Sequence, residues 1–195
     1  IAGIGRMVVN HHTTFCINSV CHYLGRRPYS DKHSARDSWI SSLLTYGEGY
    51  HNFHHTFQYD YRNGIRFFHW DPTKWLIRFF QWTGLAQGLK KAREEKILLA
   101  LVEMDSKRLA LALAKKPPLL RQRFEEMVAS TQIRVQESLI RFHQMKERLQ
   151  EMKKDRLATW NHSMEEAREE YRLAKMEFQI ALLQWRALVN GPLLA

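Results

Sequence analysis

The chain has 195 residues, with 30 Lys and Arg against 20 Asp and Glu, a formal net charge of +10 and a pI of about 9.8. That length allows one or two domains, and two cysteines, Cys16 and Cys21, are too few for a disulfide framework, so a reducing compartment is expected and neither thiol is given a role. A basic surface suits anionic headgroups or phosphates, but nucleic acid is set aside: no helix-turn-helix, zinc-finger or RNA-binding signature occurs, and the aromatic residues sit in apolar rather than basic stretches.

In chain order, residues 1–23 are expected to form a helix. It carries Ile4, Met7, Val8, Val9, Phe15, Ile17 and Val20, interrupted by Asn10, His11, His12, Asn18 and His22. No run of 18 uninterrupted apolar residues exists anywhere, so hydropathy alone marks no span. Polar residues in an otherwise apolar helix nevertheless tend to face a site. A basic connector, Gly25 to Arg36, follows. A second helix starts near Asp37, whose side chain is expected to cap it, and runs through Leu43 and Leu44 into the bend Gly47-Glu48-Gly49. Residues 51–56 open a short helix or turn.

Residues 65–86 place Phe67, Phe68, Trp70, Trp75, Phe79, Phe80 and Trp82 among Arg66, Lys74 and Arg78. Such a mixture suits a membrane interface, the alternative being an amphipathic helix buried in a soluble core. Pro72 fits the first turn of a helix there, with Asp71 as its cap, and Gly84 and Gly88 weaken its end before Lys90.

Residues 91–118 read as a helical linker ending in the hinge Lys115-Lys116-Pro117-Pro118, and 119–195 as a tail of another kind. Neither Gly nor Pro occurs from 119 to 189. One heptad seam runs Phe124, Val128, Thr131, Val135, Ser138, Phe142, Met145, Leu149, Met152. A second runs Trp160, Met164, Ala167, Tyr171, Ala174, Phe178, Ala181, Trp185, Leu188. The two do not join in register, and Ser163-Met-Glu-Glu166 is a capping box between them. Two long helices folded as an antiparallel hairpin are therefore expected, ahead of one continuous helix with a stutter. The aromatic residues of the second seam are packing, and His143 and His162 are expected to be solvated.

Eight of the ten histidines fall in the first 69 residues. His51, His54 and His55 stand at i, i+3 and i+4, so on a helix all three rings leave one face within a turn. Imidazole is a common ligand for iron, zinc and copper. His22 lies 29 residues upstream with Asn18 at i−4, so both can face one side of a helix. His11 and His12 are adjacent, point to different sides and are not assigned as ligands.

Asn18-Ser19-x-x-His22, Arg27-Pro28-Tyr29, Gly47-Glu48-Gly49-Tyr50-His51-Asn52-Phe53-His54-His55-Thr56-Phe57 and Asp60-Tyr61-Arg62 resemble the C-terminal catalytic half of the membrane-bound Δ9 fatty acyl desaturases, the stearoyl-CoA desaturase family. Trp70-Asp71-Pro72-Thr73-Lys74-Trp75 is similar to the segment after the last histidine box in bacterial members. The resemblance covers residues 5–90 and not 91–195. It implies an all-α fold: the end of a transmembrane helix, histidine-box cap helices on the cytoplasmic side, then the helical hairpin or coiled-coil tail. It implies two iron ions held by histidines, with His51, His54 and His55 as the third box, His22 as a further ligand and Asn18 acting through water.

The first two boxes are absent, so the chain resembles a C-terminal fragment, inactive alone, of a multi-pass membrane enzyme. The implied reaction removes two hydrogens from a fatty acyl-CoA or acyl-lipid with O2 and electrons from a ferredoxin-like or cytochrome b5-like donor. Arg26, Arg27, Lys32 and Arg36 are candidates for phosphate of coenzyme A or lipid. Phe15 occupies the place where several relatives carry Trp near the acyl tunnel. Glu48, Asp60 and Tyr61 are candidates to orient the imidazoles. A related di-iron hydroxylase, or a helical interaction module with vestigial ligands, are the alternatives. The tail is expected to self-associate or to pack on the catalytic part.

Overall fold

The computed structural model describes residues 2–154 and 162–191. These form helices α1 (Ala2–Asn18), α2 (Val20–Tyr23), α3 (Trp39–Leu44), α4 (His51–Thr56), α5 (Pro72–Trp82), α6 (Glu94–Leu113), α7 (Pro118–Lys154) and α8 (His162–Val189). Among the described residues there is no strand, only two isolated bridges, Arg26 with Asp37 and Asp37 with Tyr50. The chain is all-α and divides into two compact units, Ile1–Met104 and Asp105–Ala195.

In the first unit, the helix expected over 1–23 is interrupted. The Ser19 hydroxyl and amide both donate to the Phe15 carbonyl, at 2.6 and 3.0 Å, and the helix restarts at Val20. A serine hydroxyl that competes for the i−4 carbonyl bends a helix in this way. α1 buries none of its side chains, and among the described residues no helix is long and apolar enough to cross a membrane.

A second correction concerns Asp37. The cap of α3 is Ser38, whose Oγ accepts from the Ser41 amide at 3.2 Å. Asp37 instead turns its carboxylate to another helix: Oδ1 accepts from the amides of Asn52 and Phe53, at 2.7 and 3.1 Å, in the first turn of α4. The Asp37 backbone is held on both flanks, exchanging hydrogen bonds with Arg26 while the Ser38 amide donates to Gly49. A carboxylate so placed satisfies two amides that α4 leaves unpaired.

Asn52 completes the arrangement. It is fully buried and uses its whole amide. Oδ1 accepts from the amides of Tyr29 and Ser30, and Nδ2 donates to the carbonyls of Ser30 and Ala35. The basic connector is thereby stitched onto α4. Behind it, Phe53, Phe57, Ala92 and Ile97 form a small core, with Tyr29, Ile65, Ala100 and Leu101 packed around it.

The segment after α4 is pinned by two carboxylates. Asp60 accepts from the backbone and guanidinium of Arg62 and from the Ala92 amide. Asp71 caps α5 through the Lys74 amide, as its sequence position predicts, and also accepts from Asn63 and Gly64. The Lys74 ammonium donates to the carbonyls of Gly64, Arg66 and His69 at 2.7, 2.7 and 3.0 Å. A lysine buried inside a ring of carbonyls is structural here, not interfacial. The rest of α5 turns Trp75, Leu76, Phe79, Phe80 and Trp82 outward.

The second unit holds the hairpin. Ion pairs Arg141–Glu177 and Arg148–Glu170 step in opposite chain directions, so α7 and α8 run antiparallel. Every described residue of the two heptad seams is buried or half-buried; Trp160 falls outside the described residues. α8 begins at His162, one residue before the capping-box serine. His143 is not solvated: it is half-buried with Nε2 3.0 Å from Glu147 Oε1.

Two stability outcomes follow from this packing. Leu139→Ala in α7 empties a buried position and lowers unfolding free energy by about 3 kcal/mol, read by thermal or denaturant melts of the chain. Asn52→Leu keeps the volume but strands two amides and two carbonyls. It costs at least about 3 kcal/mol and releases residues 29–35, read as faster amide exchange there.

Candidate metal centre

Four features bring the histidines together. α2 carries His22, α4 carries His51, His54 and His55, Asn52 and Asp37 tie the two segments, and the Gly47-Glu48-Gly49 bend lets α3 and α4 approach. Gly47 has φ +106°, in the region that favours glycine, and a Cβ there would meet Asp71 at 2.8 Å. A Cβ on Gly49 would sit 2.1 Å from the Ser42 nitrogen and 2.5 Å from the Ser41 carbonyl carbon, so no side chain fits between α3 and the start of α4.

The result is a compact imidazole cluster. His51 Nε2 lies 3.1 Å from His22 Nε2 and 3.1 Å from His55 Nε2, and the three ligand atoms are all within 4.8 Å of one another. Two nitrogens on one ion, each at ~2.0–2.1 Å, stand about 2.9–3.4 Å apart at tetrahedral to octahedral angles. The two 3.1 Å separations, both to His51, match that bite. Neutral imidazoles also suit iron, zinc or copper, so the donor set fits a transition metal.

His54 points elsewhere. Its ring stacks at 16° on His51, with centroids 6.0 Å apart, and its nitrogens are not among the converging set. Asn18, at the end of α1, is exposed, as is Phe15. His11 and His12 are exposed on α1, away from the cluster of three.

The electrostatics favour neutral rings. Burial, then the neighbouring His55, His22, His54 and His33, lowers the His51 pKa to about 4. Burial and the charges of His33, His54 and His22 lower that of His55 as well. The Asp37 carboxyl is pushed up to about 7 by burial, against the pull of the Phe53 and Asn52 amides.

The groups that orient the rings are not those the sequence suggests. Glu48 accepts from Asn63 Nδ2, Asp60 binds Arg62 and Ala92, and Tyr61 donates its amide to the Lys90 carbonyl; none of these bonds reaches an imidazole. Ser34 does: its Oγ is 2.9 Å from His22 Nδ1, leaving Nε2 as the ligand atom. Nothing in the order of residues marks Ser34 for that task.

His33 is a second residue without a sequence signal. Its ring centroid is 5.2 Å from His55 and its Nε2 is 3.2 Å from Thr56 Oγ1. The Thr56 hydroxyl donates to the Asn52 carbonyl at 2.7 Å, so it accepts from His33, and Nε2 carries the proton. A hollow of about 300 Å³ opens beside His33 and His55, bordered by Tyr29, Lys32 and Glu103.

Of the four cations considered for phosphate, Lys32 borders that hollow. Arg36 donates to the Gly25 carbonyl, Arg26 is exposed next to its backbone bridge with Asp37, and Arg27 is half-buried.

Within this first unit, then, three imidazoles converge as a donor set that could hold a transition-metal ion. No family model matches the chain. Comparison with curated proteins is specific, however. Residues of the chain are 46% identical over 114 positions to acyl-CoA desaturase 1 of Saccharomyces cerevisiae, covering 58% of this chain and 22% of that protein. A probable acyl-CoA desaturase of Schizosaccharomyces pombe is 44% identical over 106 positions, with 54% and 22% covered. Stearoyl-CoA desaturase 5 of Bos taurus is 42% identical over 98, with 50% and 29% covered. Over about half of its length the chain is similar to these acyl-CoA desaturases, and it spans a quarter or so of the length of the curated relatives it matches.

Two measurements test the cluster. Gly49→Ala forces α3 and α4 apart and weakens Co2+ binding by about tenfold or more in a spectroscopic titration. For pH, the sign is set by a lowered imidazole pKa. The neutral ring is favoured in the folded state, so His51 contributes fully above its unfolded value of about 6.5, and that contribution is lost as pH falls through about 4. His51→Gln flattens the metal-free chain's stability profile over that window by up to about 3 kcal/mol, measured by denaturant melts at stepped pH.

Proposed function

We propose that residues 1–104 carry the C-terminal share of a histidine-ligated di-iron centre in a fatty acyl desaturase, with Δ9 selectivity as the first position to test. The observation that supports it is that His51 Nε2 lies 3.1 Å from both His22 Nε2 and His55 Nε2, in a chain similar over about half its length to acyl-CoA desaturases. His22, His51 and His55 hold one ion. His54, turned off the same helix, reaches a second, with Asn18 acting through water. Four imidazoles are too few for two ions. The remaining positions are assigned to donors outside these residues, and the activity to the polypeptide that carries both sets.

A saturated CH2 has no polar handle, so no acid or base on this chain can activate it. Iron, when bound, supplies the one-electron oxidation with O2 that the side chains cannot. What the chain's own residues do is narrower. Ser34 fixes the His22 ring, burial keeps His51 and His55 neutral and able to bind, and Asn52 with Asp37 locks α4 against the connector. The exposed apolar side chains of α1 and the outward aromatic face of α5 are the surfaces we assign to lipid, with the histidines at the cytoplasmic side. The acyl chain is delivered as a coenzyme A thioester or lipid ester, and a ferredoxin-like or cytochrome b5-like protein delivers electrons.

The test expresses the complete reading frame that contains residues 1–195 in cells and profiles their fatty acids. A new monounsaturated acyl product is expected, and His54→Ala abolishes it with at least about a hundredfold loss. A hydroxylated product in its place assigns the related hydroxylase chemistry. Unchanged product from the His54→Ala variant removes that residue from the centre.

A further inference from the structure

α8 has two apolar faces, and the hairpin uses one. Ala167, Tyr171, Ala174, Phe178, Ala181, Trp185 and Leu188 form the seam against α7. Leu173, Met176, Ile180 and Leu183 form another row, also at alternating spacings of 3 and 4, and are 47, 48, 54 and 63% exposed. Ala187, also exposed, continues it. At roughly 100° per residue the second row lies about 160° around the helix from the first. It therefore lies outside the hairpin seam and is left exposed, with Ile180 at the edge of a groove bordered by Arg134, Glu137 and Arg141 of α7.

We infer that this outward row is a self-association surface, where α8 pairs with α8 of a second copy of the chain as a short parallel two-stranded coil. Three observations choose that occupant. The row is narrow and follows a strict 3.5-residue repeat, which is the seam of a two-stranded coil and not the broad stripe of a helix buried in a core or lying on lipid. Its centre has Ile180 at one seam position and Leu183 at the next, the β-branched then γ-branched order that favours parallel dimers.

The flanking charges supply the third. With Leu173 and Ile180 as a positions, Arg172 and Gln179 fall at g, and Glu177 and Gln184 at e. In a parallel pair each g residue meets the e residue five places on in the partner, so Arg172 meets Glu177 and Gln179 meets Gln184, twice each by symmetry. Antiparallel pairing about the centre of the row instead sets Glu177 against its own copy and Arg172 against Arg186. Both participants of the favourable pair are accessible: the side chain of Arg172 is 69% exposed and that of Glu177 50%. Their present ion pairs, with Glu169 and Arg141, are themselves on the surface and cost little to rearrange.

The coil is short. Glu166 and Glu169 occupy the next seam positions toward the N-terminal end, so it starts at Leu173 and ends near Ala187. Glu165 and Glu170, which would repel in a longer parallel coil, flank that excluded layer.

The experiment is sedimentation velocity of the 195-residue chain in mild detergent, with disulfide mapping of cysteine variants by mass spectrometry. A monomer–dimer equilibrium that strengthens with concentration is expected. Ile180→Glu with Leu183→Glu converts it to monomer while the helical circular dichroism is unchanged, because both positions face away from the core. Leu183→Cys yields a disulfide between the two copies of position 183. The proposal is overturned by a chain that stays monomeric to about 200 µM, or by a dimer indifferent to the two glutamates. It is equally overturned if a Leu173→Cys, Leu183→Cys double variant links position 173 of one copy to position 183 of the other. Binding to phosphatidylserine vesicles that the glutamates abolish, with no dimer at any concentration, assigns the face to lipid and rejects the paired coil.

Discussion

Asn52 and Asp37 are the constraint on which the first unit depends. Two side chains make six hydrogen bonds to backbone groups of the connector and α4, with no strand among the described residues to align them. Apolar burial in this unit is thin, since α1 buries no side chain and the core around Phe53 has four buried members. Polar stitching therefore takes the part that a larger hydrophobic core takes elsewhere. The cost of breaking it is steep, because each deleted partner leaves a buried group without a replacement.

The consequence for chemistry is direct. A transition metal tolerates little error in donor placement, and the nitrogens that must meet come from segments 29 residues apart. The stitched connector sets the distance between α2 and α4. Glycines at 47 and 49 remove the steric obstacle to it, and Ser34 sets the rotation of His22. The low pKa values of His51 and His55 follow from the same crowding: neighbouring imidazoles in a partly buried space penalise protonation, and the neutral form that results is the one a metal binds.

The two units solve different physical problems. The first positions polar groups around a small core. The second is periodic, and its seams of alternating 3 and 4 spacing need only to find each other. A periodic helix can also carry a second seam without disturbing the first, as α8 does. The matched relatives cover only about half of the chain, and the account of the hairpin rests on its packing and on its charge pattern.

Much of this was legible in the residues themselves. Heptad spacing over 124–152 and 164–188 identified the inward faces, because a long helix with no Gly or Pro has little freedom but to bury its periodic row. The Asp71-Pro72 start of α5 and the His51, His54 and His55 triplet were equally local, since caps and one-turn neighbours are fixed by chain geometry. What required the tertiary structure was every choice between near-equivalent partners. Asp37 could cap the helix beside it and caps α4 instead; Lys74 turns into three carbonyls instead of toward an interface; His54 leaves the cluster that its neighbours enter; and Ser34, unremarkable in sequence, holds an imidazole. Those outcomes turn on which groups the fold leaves buried and unsatisfied, and that is a property of the assembled chain and not of any stretch of it.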